Sequence, residues 1–210
     1  MPLKILIADD HDVVRAGLKA MFEKSDIRVI AEASDGNAAY KLAKKHRPNL
    51  VLLDVRMPTV DGLSCLGRLR LDLPEIPVVM FSSYDNPTYI ARSVALGAAG
   101  YILKNASRDK IINSIRAAAS GDSIWSKEDL RRVTGALAVP TVVSDSDVQL
   151  TKREGEVLKQ LALGLTNKEI AQSLGISYET VKEHVQHILR KIGVSDRTQA
   201  AVWAVRRNLV

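Results

Sequence analysis

Polar residues that are able to do chemistry stand where apolar, strand-like runs of this sequence end. They are Asp9, Asp10, Asp54, Ser82 and Lys104. Crowded carboxylates resist ionisation unless a cation joins them, and ligands that are all oxygens suit a hard ion such as Mg²⁺. A carboxylate beside Mg²⁺ and a lysine is arranged to attack a phosphoryl group, because the metal and the ammonium neutralise the charge that develops. The pattern therefore indicates phosphoryl transfer to an aspartate.

The elements that must position these residues are predicted to be five β/α repeats. Strands are predicted near residues 3–8, 27–33, 49–54, 76–82 and 100–103. Apolar residues recur at helical spacing in 12–24, 36–46, 62–72, 87–96 and 107–119. Short β-rich runs separated by helices imply a parallel sheet, and ligands bind such sheets at the carboxyl ends of the strands. A nucleotide-binding alternative is excluded because the first turn, residues 9–12, is not glycine-rich.

At these residues the sequence resembles the receiver domain of bacterial two-component response regulators. The resemblance rests on Asp9-Asp10, Asp54-Val-Arg-Met-Pro58 with Asp61-Gly62, Ser82, and Tyr101-Ile-Leu-Lys104. It implies a doubly wound, flavodoxin-like α/β domain with a five-stranded parallel sheet over residues 1–122.

The resemblance also implies roles for the acidic residues. Asp54 is expected to be phosphorylated. Asp9, Asp10 and Asp54 are expected to bind Mg²⁺ together with the backbone carbonyl of Arg56. Lys104 is expected to pair with the phosphoryl oxygens.

The same resemblance makes Ser82 the hydroxyl switch residue and Tyr101 its aromatic partner, although Tyr101 could instead be half-buried sheet packing. Many receivers carry a proline directly after the lysine, whereas this chain has Asn105, which puts the geometry of that turn in doubt. His11 is interpreted as a polar residue at a helix start, because no second histidine lies near it in the sequence.

Length and composition set limits on the class of protein. A chain of 210 residues suits two domains. No apolar run approaches membrane-spanning length, and the chain begins with a strand rather than a signal peptide, so no membrane association is expected. The single cysteine, Cys65, fits a reducing, cytoplasmic location.

Residues 148–210 are predicted to form four short helices after a linker at 123–147, which itself contains a possible short helix at 127–135. Thr151 with Glu154, then Thr166 and Ser177, are predicted to cap the first three of these helices. The third helix has one apolar stripe and an opposite face of long polar side chains. This pattern predicts a helix-turn-helix whose second helix enters the major groove of DNA.

These residues resemble the LuxR-type DNA-binding domain. The matching text is Leu150-Thr-x-Arg-Glu154, Asn167-Lys-Glu-Ile-Ala171, and Ser177-x-x-Thr-Val-Lys-x-His184 followed by Ile188-x-x-Lys191. Together with the receiver, this resembles the NarL/FixJ group of response regulators. The DNA-binding residues expected from the resemblance and from helical spacing are Thr166, Asn167, Lys168, Ser177, Thr180, Lys182, Glu183, Gln186, His187 and Arg190. For His187, a solvated helix edge remains an equal alternative.

The last helix is expected to dimerise the protein through Ala201 and Val205, because apolar residues cover more of it than one core stripe needs. The alternative is that Trp203 and Val205 complete the core of the domain.

The sequence thus predicts a transcriptional regulator and not an enzyme. Its expected partners are a sensor histidine kinase, double-stranded DNA, a second copy of the chain and RNA polymerase. Two alternatives remain. One is a phosphatase with an aspartate nucleophile, against which Arg56 stands where a second aspartate would act as acid and base. The other is a phosphorylation-controlled module that binds protein.

Overall fold

The computed structural model describes residues 2–137, 148–207 and 209–210. The chain divides into two compact units, one of Met1–Asp85 with Leu96–Ser126 and the other of Asn86–Ala95 with Lys127–Val210. Within the predicted linker at 123–147, the possible helix at 127–135 is present as Lys127–Leu137 and belongs to the second unit. Residues 138–147 lie outside the described residues.

The first unit contains a five-stranded sheet in which every pair of neighbouring strands is parallel. Its strands are β1 (Leu3–Ala8), β2 (Ile27–Ala33), β3 (Leu50–Leu53), β4 (Val78–Ser82) and β5 (Gly100–Leu103). The strand order is β2-β1-β3-β4-β5. The chain adds β2 on one side of β1 and β3, β4 and β5 on the other, so the topological switch point lies between β1 and β3. This is the predicted doubly wound sheet, and the ends of β1 and β3 lie at its switch point.

The helices of the first unit are α1 (Asp12–Phe22), α2 (Gly36–His46), α3 (Gly62–Asp72) and α5 (Arg108–Ala119). Asp35, Asp61 and Ser107 begin α2, α3 and α5, and each side chain accepts hydrogen bonds from backbone N–H groups of the first turn. A buried core of apolar side chains packs α1 and α5 against the sheet, among them Ile5, Leu52 and Ile115. These caps therefore help to fix the loops that follow β2, β3 and β5.

The second unit is helical in its described residues. It contains α4 (Pro87–Ala95), α6 (Lys127–Leu137), α7 (Lys152–Ala162), α8 (Asn167–Leu174), α9 (Tyr178–Ile192) and α10 (Arg197–Arg206). Both capping boxes are complete, with Thr151 and Glu154 at α7 and Thr166 and Glu169 at α8. Gly175 adopts a left-handed conformation and closes the turn from α8 to α9.

Helix α4 was predicted as a helix, but its place in the second unit was not. It packs against α6 and α10, and six of its nine residues are buried, including Tyr89, Ile90 and Arg92. A helix that is buried around most of its circumference needs neighbours on several sides.

Within the described residues, no helix is long and apolar enough to span a membrane.

Candidate functional site

Two carboxylates and one ammonium meet at the carboxyl ends of β1, β3 and β5. The Lys104 Nζ lies 2.6 Å from an Asp9 carboxylate oxygen and 2.9 Å from an Asp54 carboxylate oxygen. Asp9 is 1% exposed and Asp54 is 4% exposed, so both carboxylates are almost removed from water. The structure therefore brings together Asp9, Asp54 and Lys104, as the sequence predicted.

Burial and ion pairing shift the pKa values of Asp54 and Lys104 in opposite directions. Burial raises the pKa of Asp54, and the hydrogen bond and charge of Lys104 offset only part of that rise. Burial alone would lower the pKa of Lys104, but its hydrogen bonds to Asp9 and Asp54 outweigh burial and raise it. Lys104 is therefore a permanent cation beside an aspartate whose charge is incompletely compensated.

Asp10 and His11 complete an acidic cluster at the end of β1. The His11 Nδ1 lies 2.7 Å from an Asp10 carboxylate oxygen, and the His11 backbone N–H donates to Asp9 Oδ1 at 3.0 Å. Candidate ligand atoms of Asp9, Asp10, His11 and Asp54 all lie within 4.8 Å of one another. Three carboxylates at this spacing fit a hard divalent cation such as Mg²⁺. His11 stands at the start of α1, as predicted. The sequence analysis did not anticipate its contact with the acidic cluster, although its position directly after Asp10 was the signal.

The predicted switch residues are joined by a residue that the sequence analysis did not single out. The Tyr84 backbone N–H donates to Ser82 Oγ at 3.2 Å, and the Tyr101 hydroxyl donates to the Tyr84 carbonyl at 2.6 Å. Ser82 is fully buried and Tyr101 nearly so. The exposed Arg56 guanidinium lies 5.4 Å from the centre of the Tyr84 ring. Tyr84 thus connects Ser82 with Tyr101, and its place two residues after Ser82 was the only signal in the sequence.

A glycine brings α3 up against the phospho-acceptor candidate. A Cβ atom on Gly62 would lie 1.8 Å from the backbone carbonyl oxygen of Asp54, which no residue with a side chain could accept without movement. The Gly62 N–H donates to the Val55 carbonyl at 2.9 Å. The Asp61-Gly62 pair therefore fixes the loop that carries Asp54.

The turn after β5, which Asn105 placed in doubt, is closed by a hydrogen bond from the Ala106 N–H to the Leu103 carbonyl at 3.0 Å.

In the second unit, α9 shows one buried stripe and one exposed face. Val181, Ile188 and Ile192 are buried in the core with residues of α7, α8 and α10. The exposed residues of α9 are Tyr178, Glu179, Lys182, Glu183, Gln186, His187, Arg190 and Lys191. Every residue of α9 predicted to read bases is therefore accessible, while Tyr178, which is half-exposed, was not anticipated.

The remaining predicted DNA contacts lie at helix starts, where several also have structural roles. Thr166 and Ser177 cap α8 and α9 by accepting hydrogen bonds from the N–H groups of Glu169 and Thr180. The Ser177 and Thr180 hydroxyls are 3.0 Å apart. Lys168 is exposed, and Asn167 is partly buried. Capping uses the lone pairs of these hydroxyl oxygens, whereas a phosphate would accept from their O–H groups. The Thr166 O–H already donates to a Glu169 carboxylate oxygen at 2.9 Å.

The two predicted dimer residues are buried in the second unit. Ala201 is fully buried in the core cluster that also contains Trp203, and Val205 is 8% exposed. Helix α10 packs against α4, α6, α7 and α9. In this conformation the surroundings of α10 would have to change before a second copy could reach either side chain.

An ion pair that the sequence analysis did not identify links the buried Glu154 of α7 to the exposed Lys191 of α9. The Lys191 Nζ lies 2.6 Å from a Glu154 carboxylate oxygen, which also accepts from the Thr151 N–H at 2.7 Å. The hydrogen bond from Lys191 is the main cause that lowers the pKa of Glu154 to about 2. Glu154 therefore closes the cap of α7 and also anchors α9.

Comparison with known proteins gives two family matches and close relatives of full length. Residues 5–116 match the response regulator receiver domain, and residues 148–204 match the bacterial regulatory proteins of the luxR family. The chain is 37% identical to the transcriptional regulatory protein LnrK of Bacillus subtilis, covering 97% of each chain. It is 36% identical to the response regulator protein VraR of Staphylococcus saprophyticus over 100% of both chains. The structure of the response regulator ChrA from a heme-sensing two-component system is similar over 100% of this chain and 99% of ChrA, with a TM-score of 0.55 and 34% identity.

Proposed function

We propose that Asp54 is the phosphorylated residue of this chain, which belongs to the bacterial response regulators that join a receiver domain to a LuxR-type DNA-binding domain. The protein is a two-component transcriptional regulator whose DNA binding is controlled by phosphorylation. The observation that carries the assignment of Asp54 is the pairing of its buried carboxylate with Lys104 at 2.9 Å.

The chemistry proposed for Asp54 is acceptance of a phosphoryl group from the histidine of a sensor kinase. A carboxylate oxygen of Asp54 forms a bond to phosphorus while the bond from phosphorus to the imidazole nitrogen breaks, and that nitrogen keeps the electron pair. Lys104 is positioned to neutralise charge on the phosphoryl oxygens. Burial removes water from the Asp54 carboxylate and thereby raises its pKa. A cation that approaches this poorly solvated carboxylate therefore stabilises its charged form.

Asp9, Asp10 and Asp54, with the carbonyl of Arg56, are the proposed ligands of Mg²⁺. When bound, the ion supplies positive charge that lets the carboxylates approach the phosphoryl group. Asp9 also holds Lys104 in place through its contact at 2.6 Å.

Ser82, Tyr84 and Tyr101 are the proposed relay from the phosphoryl group. Phosphorylation adds nearly two negative charges and three acceptor oxygens. If Ser82 moves so that its O–H donates to a phosphoryl oxygen, the hydrogen bond that its Oγ accepts from the Tyr84 N–H would lengthen, and the loop whose Tyr84 carbonyl accepts from the Tyr101 hydroxyl would change. Phosphorylation would thereby favour one of the conformations that this loop already samples.

For DNA recognition we propose the exposed face of α9, with Lys182, Glu183 and Gln186 reading bases. Lys can donate to guanine O6 and N7, Gln can pair with adenine, and Glu can accept only from the cytosine amino group. The exposed cations Lys168 of α8 and Arg190 of α9, together with His187, are the proposed contacts to phosphates.

The proposed domains are 1–122 and 148–210 with a linker at 123–147, and the family matches at 5–116 and 148–204 support these limits. The proposed active form is a homodimer that contacts RNA polymerase at its promoters. The interface through Ala201 and Val205 remains a prediction that requires α10 to exchange neighbours.

Two alternatives have weaker support. A phosphatase with an aspartate nucleophile needs an acid and base near Asp54, whereas Arg56 occupies the position two residues on and lies over the Tyr84 ring. A module that binds protein through α9 would not show the salt dependence of DNA binding.

The test is labelling by a small acyl-phosphate donor with Mg²⁺, followed by selection of bound genomic fragments. Wild type and the control Asp122→Asn, which changes an exposed carboxylate of the first unit, should be labelled and should select the same fragments more strongly after labelling. Asp54→Asn should remain unlabelled and should not respond to the donor. Full labelling of Asp54→Asn would overturn the assignment, and steady hydrolysis of external phosphate esters would favour the phosphatase.

A further inference from the structure

The second unit contains a groove that neither the base-reading face nor the core accounts for. It lies between the start of α7 and the end of α10 and has a volume of about 780 Å³. Its cationic residues are Lys152, Lys159, Arg206 and Arg207, and none of the described residues that line it is acidic. The charged residues of its described lining are therefore all cationic.

The floor of this groove is apolar. Val148, Leu150, Leu158 and Trp203 line it beneath the cations. The Arg207 guanidinium lies 4.4 Å from the centre of the Trp203 ring, which keeps a planar cation on an aromatic surface at the rim. An apolar floor below cations fits a ligand that carries both negative charges and apolar side chains.

The groove lies away from the part of α9 that reads bases. The Lys191 Nζ, near the end of α9, lies 3.4 Å from the Gln149 carbonyl, beside the groove residues Val148 and Leu150. Along the helix axis, the proposed base-reading residues Gln186 and Lys182 lie about 8 Å and about 14 Å from Lys191, toward the start of α9. Charged phosphates are not stabilised by contact with apolar side chains, so the groove is poorly matched to the DNA backbone.

A second copy of the chain is also a poor occupant. Two such grooves facing each other would bring Lys159 and Arg206 toward the same cations of the other copy, and like charges across an interface are repelled. Charge complementarity instead favours an acidic partner.

From these observations we propose that the groove between α7 and α10 binds an acidic segment of a partner protein, with a Leu or Phe side chain of that segment on the Trp203 floor. This surface is independent of Asp54, so it does not depend on the proposed phosphorylation. Binding combines electrostatic attraction by the four cations with burial of one or two apolar side chains.

The experiment uses the full chain and a short fluorescein-labelled peptide that alternates Glu-Asp pairs with Leu and Phe. The groove variant is Lys152→Glu with Lys159→Glu, both exposed residues. The matched control, Lys44→Glu with Lys45→Glu on exposed positions of α2, makes the same change in net charge. Fluorescence anisotropy should show peptide affinity lower by about tenfold or more in the groove variant only. Circular dichroism checks that both variants fold.

Any of the following four results would overturn the proposal. Equal peptide binding by the two variants would mean that the groove is not the site. Equal binding of a peptide with Ser in place of Leu and Phe would mean that the floor is not used. If the groove variant loses affinity for duplex DNA by the same factor, the cations contact phosphate. If it changes from dimer to monomer in sedimentation, the occupant is a second copy.

Discussion

Gly62 and Asp54 illustrate how single residues set the geometry of the phosphorylation site. The absent side chain of Gly62 lets α3 begin against the Asp54 carbonyl, and the buried Asp54 carboxylate gives up solvation to face Lys104. Both features restrict the conformations of Asp54, the proposed phosphoryl acceptor, before a phosphoryl donor binds. Each feature leads to a prediction.

Gly62→Ala should destabilise the first unit by about 1–3 kcal/mol, because the new Cβ would force the Asp54 loop to move. The loss should appear in urea unfolding, and labelling of Asp54 should slow. The control is Gly17→Ala, since a Cβ on Gly17 meets nothing within 4 Å. Gly17→Ala lies within α1 and should stabilise the protein by about 0.5–1 kcal/mol. Equal effects of the two substitutions would contradict the steric explanation.

Asp54→Asn should make the protein more stable than wild type at pH 7. The pKa of Asp54 is raised above its ordinary value of 3.8, mainly by burial. The protein is therefore most stable with Asp54 protonated, and it loses this stability as the pH rises through the folded-state pKa. The gain from Asp54→Asn should disappear below pH 3.8 in thermal melts, and Asp122→Asn should show none. A loss of stability at pH 7 would mean that the pair with Lys104 outweighs burial.

At the scale of elements, caps and one ion pair hold the helix-turn-helix together. Thr151 with Glu154 and Thr166 with Glu169 begin α7 and α8, and the pairing of Glu154 with Lys191 joins the first of these caps to α9. Helix α9 is therefore held by a carboxylate that belongs to another helix. This contact should respond to acid.

Stability of the second unit should fall as the pH drops from about 4.5 toward 2, because the pKa of Glu154 is lowered to about 2 in the folded state. A lowered carboxyl pKa contributes stability above its unfolded value and loses it as the pH falls through the folded value. Hydrogen exchange of amides in α7 and α9 should report this loss. Glu154→Gln should remove the pH dependence, while Glu156→Gln, whose pair with Arg153 is partly exposed, should retain it. Identical pH profiles for the two variants would exclude Glu154 as the group.

The burial of α10 changes what can be expected of its dimer residues. Because Ala201 is fully buried among core side chains, a charge placed there should disrupt the fold rather than only an interface. Dimerisation is therefore better probed by measuring mass in solution before and after phosphorylation than by substitution of Ala201.

At the scale of the whole molecule, charge is distributed unevenly. The net charge is +6, and residues 148–210 contain ten basic and six acidic residues. This favours binding to a polyanion, and such binding should weaken as salt increases. Glu183 opposes that trend because it places negative charge on the exposed face of α9.

Glu183→Ala should therefore tighten binding to non-specific DNA by about two- to tenfold at low salt and should relax sequence preference. Lys182→Ala should weaken specific binding by about 1–3 kcal/mol. The control, Glu128→Ala, makes the same change in charge at an exposed position of α6 and should leave the base profile unaltered. Site selection on the three variants decides the matter, and an unchanged profile for Glu183→Ala would leave Gln186 as the leading discriminator.

The sequence by itself determined the strands, the caps and the convergence of the acidic residues. Apolar runs such as Leu50–Leu53 specify buried strands, and parallel strands necessarily bring their carboxyl ends to one edge. Thr151, Thr166 and Ser177 could be identified as caps because capping acts over three residues of chain. Local spacing carries this information, so no tertiary contact was needed to predict it.

Only the tertiary structure decided which distant side chains meet. The hydrogen bond from Tyr101 to the Tyr84 carbonyl joins residues that no local spacing relates, and so does the pairing of Glu154 with Lys191. The place of α4 in the second unit likewise depends on distant residues. The burial of Ala201 and Val205 likewise depends on which helices surround α10. A helical pattern specifies an apolar face, whereas the partner of that face is chosen by packing over the whole chain.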